Sequence, residues 1–568
     1  MKKSSKKKLL IILLFIILLI GTAAAAAILV LLPNNSDIKQ YDGKTYKVAA
    51  NGDVRGDVLF SGGEKYFSYD IIKSYIDKYI WLDGSAGIIT ITDRNGITRI
   101  DEKNSEYILA ENGKIFFKES FISEKYKTTF QYNKENNVTV ISNEEMYTGY
   151  IISLKDELCI RSGPSVKNPR VKVIKNENGK TVAKAFTNNG GNWIKVTADT
   201  GETGYVKKSE VKFVENKKYT GIIEGFNTGE PGSAVNNDKT AKSNDFKAKF
   251  KTKKINMVWE AVYSQNPDVS KIGEMEGLNV IAPTWFNLSD TNGKIKNTAD
   301  TGYVKWAHGR GYYVWGTAVS NTDYNLTSSF LKNYEARNKF VNDIINYAVG
   351  YNLDGINIDF EYMNEEDKML FTQFVREISA LCHINGLMVS CDVTVLSNNS
   401  KWSLCYDRKS LSDSVDHMCV MFYDQYSGSG GKAGSVAQLS WTAASLKNIL
   451  NQIPNNKLIL AIPFYTRLWE EKEQNGATKA TSVVFNMRDS QNLIREKGLT
   501  PVWDEQSGQY YVQYEYEGAA YKLWVEDEKS IKGRVQLVIQ NNLAGCAAWR
   551  RNFETENIWK VINNVLTS

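Results

Sequence analysis

An α/β chain built on a closed (β/α)8 barrel, with smaller domains ahead of it, is the architecture this sequence predicts, and three observations predict it. From residue 254 to residue 568, apolar strand candidates alternate with amphipathic stretches, and there are eight of them: 255–259, 278–285, 312–319, 353–361, 387–395, 416–424, 457–465 and 544–549. Between the fourth and fifth, Phe371, Phe374, Val375, Ile378 and Leu381 mark one face of a helix. The seventh and eighth strands lie about 80 residues apart instead of the few usual in such folds. That interval contains hairpin-like text, Tyr510 to Tyr514 and Tyr521 to Val525, and predicts a small α+β insertion beside the barrel mouth. Finally, 568 residues exceed one barrel, and a composition of 42% hydrophobic and 24% charged residues supplies real cores and argues against disorder.

Ahead of the barrel, each segment has its own signature. Residues 1–8 form a basic tail whose five lysines (Lys2, Lys3, Lys6, Lys7, Lys8) account for most of the net charge of +6. The remainder is nearly neutral, with no surplus to neutralise phosphates, so no nucleic-acid partner is expected. Residues 9–32 are uncharged and mostly apolar. At about 1.5 Å per residue they span roughly 36 Å, enough to cross a bilayer and longer than a signal-peptide core. A transmembrane anchor is therefore expected, with the lysines inside the cell and residues 33–568 outside. Six cysteines without CxxC spacing and three scattered histidines (His308, His383, His417) predict neither a disulfide scaffold nor a metal site, and no cofactor is expected.

Residues 45–143 repeat weakly at an offset of 49, with Phe67, Ile72, Trp81, Ile89 and Ile91 matching Phe116, Phe121, Phe130, Val138 and Val140. Each copy reads as strand, short helix and strand, and resembles the copper-amine-oxidase N-terminal-like module found outside many Gram-positive bacteria. No copper ligands accompany the resemblance, which points to a spacer or docking module. Residues 150–214 read as short strands between turn residues, with Cys159 to Ser165, Gly191 to Val196 and Gly204 to Val206 as landmarks. They are similar to bacterial SH3-like domains, which commonly bind cell-wall material. Residues 225–253, rich in Gly, Asn, Lys and Ser, read as a linker.

The chemistry of a (β/α)8 barrel sits at the C-terminal ends of its strands. Those ends carry Trp259-Glu260, Trp285, Asp359 with Glu361, Asp392, Tyr423-Asp424, Tyr465 and Trp549. Carboxylates for proton transfer among aromatics that can stack on sugars fit glycoside hydrolysis. Strand four is the sharpest signal, Asp354-Gly355-Ile356-Asn357-Ile358-Asp359-Phe360-Glu361. With a period of two, Asn357, Asp359 and Glu361 share the lumen face, while Ile356, Ile358 and Phe360 face the helices.

DGxxxDxE at the end of strand four resembles the signature of family-18 glycoside hydrolases, the chitinases and related N-acetylglucosaminidases. The resemblance covers about residues 253–568 and includes Met421 to Asp424, Pro463 to Arg467 and Ala547 to Trp549. Its nearest subgroup is the spore-cortex and cell-wall lysins of Gram-positive bacteria. The resemblance implies Glu361 as general acid and then base, Asp359 as the orienter of the substrate's acetamide, and Tyr423 as a hydrogen-bond donor to the acetamide oxygen. It implies Trp549 as the floor beneath the −1 sugar and Asp424, Tyr465 and Arg467 as further sugar contacts; Asn357 and Trp285 complete the expected substrate-binding set. Two departures stand out: many members have Asp at the place of Asn357, and Val314 to Ala318 lacks the SxGG text of many chitinases. The expected substrate is peptidoglycan or a chitin-like N-acetylglucosamine polymer. A chito-oligosaccharide hydrolase and a non-catalytic glycan-binding scaffold are the alternatives.

Overall fold

Strands covered by helices on one side and by each other's side chains on the other are mostly apolar on both faces, and this chain supplies eight of them, with polar residues admitted to the lumen near the site. The computed structural model describes residues 33–218 and 253–568, except 57, 94–95, 145, 177–178, 188–190, 321–322 and 475–476. They fall into two units, one comprising the described residues of 1–80, 87–89 and 100–224, the other those of 81–86, 90–99 and 225–568. The expected tail and anchor, and the linker up to its last residue, lie outside the described residues. Among the described residues no helix is long and apolar enough to cross a membrane.

In the second unit all eight expected strands are present: β1 (Ile255–Glu260), β2 (Val280–Pro283), β3 (Tyr313–Val319), β4 (Gly355–Asp359), β5 (Met388–Thr394), β6 (His417–Met421), β7 (Leu458–Pro463) and β8 (Gly545–Trp549). Neighbours pair in parallel, β8 pairs with both β7 and β1, and β2 meets β3 at Val280↔Tyr313, which closes the ring. Ile255, Met257 and Trp259 of β1, Trp315 of β3 and Ala461 of β7 fill the lumen. Val258, Val314, Ile356, Ile358 and Leu460 point outward into the layer beneath the helices.

Four helices hold β4 in place: α1 (Thr301–Gly309), α2 (Tyr324–Lys332), α3 (Tyr334–Gly350) and α4 (Lys368–Ile384). The first three start on Asp300, Asp323 and Asn333, whose side chains accept the orphan amides of the first turn. On α4, Phe371, Phe374, Val375 and Ile378 are fully buried as expected, and the stripe ends on Cys382 while Leu381 is only half-buried. Phe360 of the β4 end packs 5.2 Å from Phe374, which meets Phe330 of α2 edge-on at 5.5 Å. Gly355 opens β4 because a Cβ there would lie 2.7 Å from the Met388 carbonyl oxygen and from the Trp315 ring. Asp354 accepts the Val314 amide and pairs with His308 Nε2, both at 2.8 Å. The Asp-Gly that opens the motif is thus structural.

The insertion is a five-stranded antiparallel sheet, Tyr465–Gln474, Ala477–Asn486, Val502–Asp504, Gln509–Tyr516 and Ala519–Val525, with one helix, Met487–Glu496. Its first strand follows β7 after a single residue, Phe464, so the lobe stands directly on the barrel rim.

In the first unit, seven strands between Gly149 and Glu215 form one sheet around Ile151, Leu158, Ile160, Ile194, Val196 and Val206. The repeat is visible in the backbone, since Glu64–Ser68 with Tyr69–Tyr75 recurs as Lys114–Lys118 with Glu119–Tyr126. Phe67 pairs across the sheet with Phe117, and the equivalents of Phe67 and Ile72 are Phe117 and Ile122, not Phe116 and Phe121. One residue fewer after the second helix returns the offset to 49, where Ile89 and Ile91 match Val138 and Val140. The 45–143 segment does not stay with one unit, because Trp81–Ala86 and Thr90–Arg99 group with the barrel.

Candidate active site

The polar lumen begins with Asn357, fully buried and with all its hydrogen-bonding capacity used. Its Oδ1 accepts from Trp259 Nε1 at 2.9 Å and Thr317 Oγ1 at 3.2 Å; its Nδ2 donates to Ser390 Oγ at 2.9 Å and Asp392 Oδ1 at 2.7 Å. A buried amide with four good partners is rigid. It spaces β4 from β5 and leaves the acids nearer the mouth to interact with each other.

Asp359 and Glu361 follow on the same face. Burial pushes the Asp359 carboxyl up to about 6, against a hydrogen bond with Glu361 that holds it down. Burial also pushes Glu361 well above the usual carboxylate range, reinforced by the negative charges of Asp359, Asp392 and Asp424. Asp392 is raised well above that range by burial and by Asp359. One proton shared out between two such acids favours an acid and an anion side by side, with Glu361 the group pushed toward its protonated form. Among the described residues, Asp359 Oδ1 is buried without a hydrogen-bond partner. Tyr423 lies buried at the same mouth, its phenol held neutral by burial and by the charge of Glu361.

Around this pair stand the other expected residues. Tyr465 donates to Asp424 Oδ1 at 2.7 Å, and Arg467 Nη2 lies 3.8 Å from the same oxygen. The Tyr423 and Tyr465 rings meet edge-on at 6.1 Å. Trp549, half-buried at the end of β8, has its ring 6.1 Å from that of Trp259. These residues converge on one mouth. Trp285 does not join them. β2 stops at Pro283, and Trp285 donates its amide back to the Pro283 carbonyl at 2.9 Å, so the alternation breaks before it. The indole is fully buried between barrel and helices, 5.5 Å from Tyr303, with Nε1 donating to Asn266 at 2.6 Å. Glu260 also turns outward, paired with Arg551 and accepting from Tyr303 at 3.1 Å.

Trp259 and Asp392, read at the strand ends but given no role there, stand beside the acids, and Tyr406 was not among the expected residues. Ser390-Asp392-Thr394 alternates on β5 as Asn357-Asp359-Glu361 does on β4, and that register was the available signal. Tyr406, whose hydroxyl donates to the Phe360 carbonyl at 2.8 Å, left no local signal because it comes from a distant loop. Among the described residues, no three His, Cys, Asp or Glu side chains are grouped to hold a metal.

With the geometry in hand, similarities to known proteins can be placed. Residues 316–554 match the family model described as Glycosyl hydrolases family 18. The chain is 28% identical over 295 residues to "Uncharacterized glycosylase YvbX" of Bacillus subtilis, a match spanning 50% of this chain and 84% of that one. It is 23% identical over 238 residues to the "Cortical fragment-lytic enzyme" of the same organism, over 41% of this chain and 54% of the relative. Among solved structures, a chitinase from Chromobacterium violaceum shares the fold, with a TM-score of 0.50 at 20% identity over 56% of this chain and 99% of that one.

Proposed function

The chain is a glycoside hydrolase with a family-18 domain in its barrel, and we propose that it cleaves β-1,4 bonds after N-acetylglucosamine in peptidoglycan, with retention and with help from the substrate itself. The observation that carries this reading is the buried pair Asp359 and Glu361, on one strand face and each shifting the other's proton. An enzyme that supplies its own nucleophile holds two carboxyls about 5–5.5 Å apart across the scissile bond, and an inverting one holds them roughly 6.5–9.5 Å apart. Asp359, two residues before Glu361 on the same strand face and tied to its proton, suits an orienting neighbour of the acid better than an attacking group. Asp392 is engaged by Asn357 and Asp424 by Tyr465, so neither stands free to attack.

The nucleophile is then the acetamido carbonyl of the −1 sugar. Its oxygen attacks the anomeric carbon while the glycosidic bond breaks and Glu361 passes its proton to the departing oxygen. Asp359, ionised and with Oδ1 unpartnered, accepts the acetamide N–H and stabilises the charge that develops on the ring. The neutral Tyr423 phenol donates to the acetamide oxygen, and Trp549 lies under the sugar. Water opens the oxazolinium ion and gives its proton to Glu361, which restores the acid. Asp424, Tyr465 and Arg467 contact the sugar, and Asn357 holds the lumen geometry.

Residues 9–32 anchor the enzyme in the membrane with residues 33–568 facing the wall, the all-β segment is an SH3-like wall-binding module, and the repeat module is a spacer. Mass spectrometry of the products released from peptidoglycan and, separately, from chito-oligosaccharides tests the reading. Muropeptides with a new N-acetylglucosamine reducing end, absent with Glu361→Gln, are expected. Cleavage of chito-oligosaccharides alone would keep the chemistry and remove the wall substrate. Product from neither would leave a binding protein.

A further inference from the structure

A second group of aromatic residues rims the mouth on the side of Glu361, and it carries a cation. Immediately after Glu361 the chain turns through a left-handed residue, Tyr362 (φ 52°), a backbone state that a bulky side chain rarely occupies. The turn leaves the Tyr362 ring half exposed instead of returning it to the core, and Trp402 packs 4.8 Å from it at 45°. Next to Trp402, Lys401 places its ammonium 3.2 Å from the ring centre of Tyr324, the first residue of α2.

These pieces are held rigidly to the acid. Ser320, just past β3, accepts the Glu361 amide and donates to the Glu361 carbonyl, each at 3.1 Å. Asn399 Oδ1 takes the amides of both Lys401 and Trp402 at 3.0 Å, and buried Arg408 ties the Ser403 carbonyl to that of Thr394. Among the described residues Lys401 has no carboxylate partner. An ammonium seated on an aromatic face is attracted to the ring yet keeps its outer side for an anion. The carboxyls of this mouth would repel an acidic substrate, so a fixed cation beside them implies that one is bound.

The departing oxygen leaves with the sugar on the acid's side of the bond, and Tyr362 is the residue that follows the acid in the chain, with Trp402 against its ring. In peptidoglycan that sugar is a muramyl residue, whose O3 bears a lactyl arm ending in a carboxylate or in an acidic peptide stem; in chitin it bears no charge. We propose that Tyr362 and Trp402 stack this leaving sugar and that Lys401 binds the carboxylate carried on its lactyl arm, which makes Lys401 the residue that favours muramyl over uncharged glycan. The inference rests on the peptidoglycan reading above and adds the group that recognises it.

The test compares kcat/KM of the full chain and of Lys401→Ala and Lys401→Arg on intact peptidoglycan, on amidase-stripped glycan strands with free lactyl carboxylates, and on chito-oligosaccharides of matched length. With Lys401→Ala the preference for muramyl over uncharged substrate falls about tenfold, mainly through KM, and Lys401→Arg restores most of it. Raised salt shrinks the wild-type preference and leaves that of Lys401→Ala flat. Loss on the stripped strands alone identifies the lactyl carboxylate, loss on intact peptidoglycan alone identifies the acidic stem, and loss on both shows that Lys401 takes either; each supports the cation site. An equal loss on chito-oligosaccharides, or none anywhere, overturns it. Wild-type enzyme that cuts chito-oligosaccharides but no muramyl substrate removes the peptidoglycan reading and this inference together.

Discussion

On the proposed mechanism Glu361 works only while it holds a proton and Asp359 only while it lacks one, so activity is confined to a window between them. Burial lifts Asp359 to about 6, which places the acidic limb of the rate profile, and the alkaline limb belongs to Glu361, which burial and its acidic neighbours raise well above the usual carboxylate range. A bell with its acidic limb near 6 is the expected profile of initial rates against pH. The same shift acts on stability. Because the folded chain holds this proton more tightly than the unfolded one, stability falls as pH rises from about 4 through about 6, and Asp359→Asn should flatten that slope in denaturant titrations. The pair was legible in the sequence because period-two alternation admits one lumen face for Asn357, Asp359 and Glu361. Trp285 was misread because the strand rule was carried two residues past Pro283. Trp285→Ala should therefore lower stability by about 3–5 kcal/mol in unfolding experiments and leave the KM of the remaining folded enzyme alone, whereas Trp549→Ala should raise KM at nearly unchanged stability.

Among the elements, the barrel closes through a device used twice at the N-terminal ends of its strands. His308, on α1, pairs with Asp354 at 2.8 Å, and Asp354 takes the Val314 amide of β3; His383, on α4, pairs with Asp416 at 3.0 Å, and Asp416 takes the Val389 amide of β5. In each case the acid just before one strand is fastened both to the preceding strand and to the helix that leads into it. The base of such a barrel serves stability and its top serves chemistry. His308→Ala or His383→Ala should each lower unfolding free energy by about 1–2 kcal/mol with kcat intact, while loss of turnover at full stability would show the pairs reach the site. The eight strands were readable because each is a short, mostly apolar run, as burial on both faces requires. The histidine latches were not, since each partner comes from a different βα unit. The repeat was read one residue out of step in its first half because a single-residue difference after the helix shifts the offset, and the bounds of the strands and helices show where that residue falls.

At the scale of the whole molecule, the described chain is two units, and the second includes a piece of sequence from far ahead of the barrel. Asp83 is buried against Arg337 of α3, Arg99 pairs with Glu377 of α4 at 3.0 Å, and Arg376 reaches Thr92 at 3.2 Å. A buried guanidinium deprived of its acid is costly, so Asp83→Ala should destabilise this unit by about 3–5 kcal/mol in thermal or denaturant unfolding. No sequence pattern announced this sharing, because a repeat defines copies and does not say which surface each copy covers. The central claim for this molecule is that the substrate's own acetamide attacks while Glu361 supplies the proton. Proton NMR of a chito-oligosaccharide digest, read within the first minutes, tests that claim most directly. The account predicts that the new reducing end appears first as the β-anomer, that bonds following a de-N-acetylated sugar stay uncut, and that Glu361→Gln yields no signal. An α-anomer appearing first, or cleavage after glucosamine at the same rate, would contradict it.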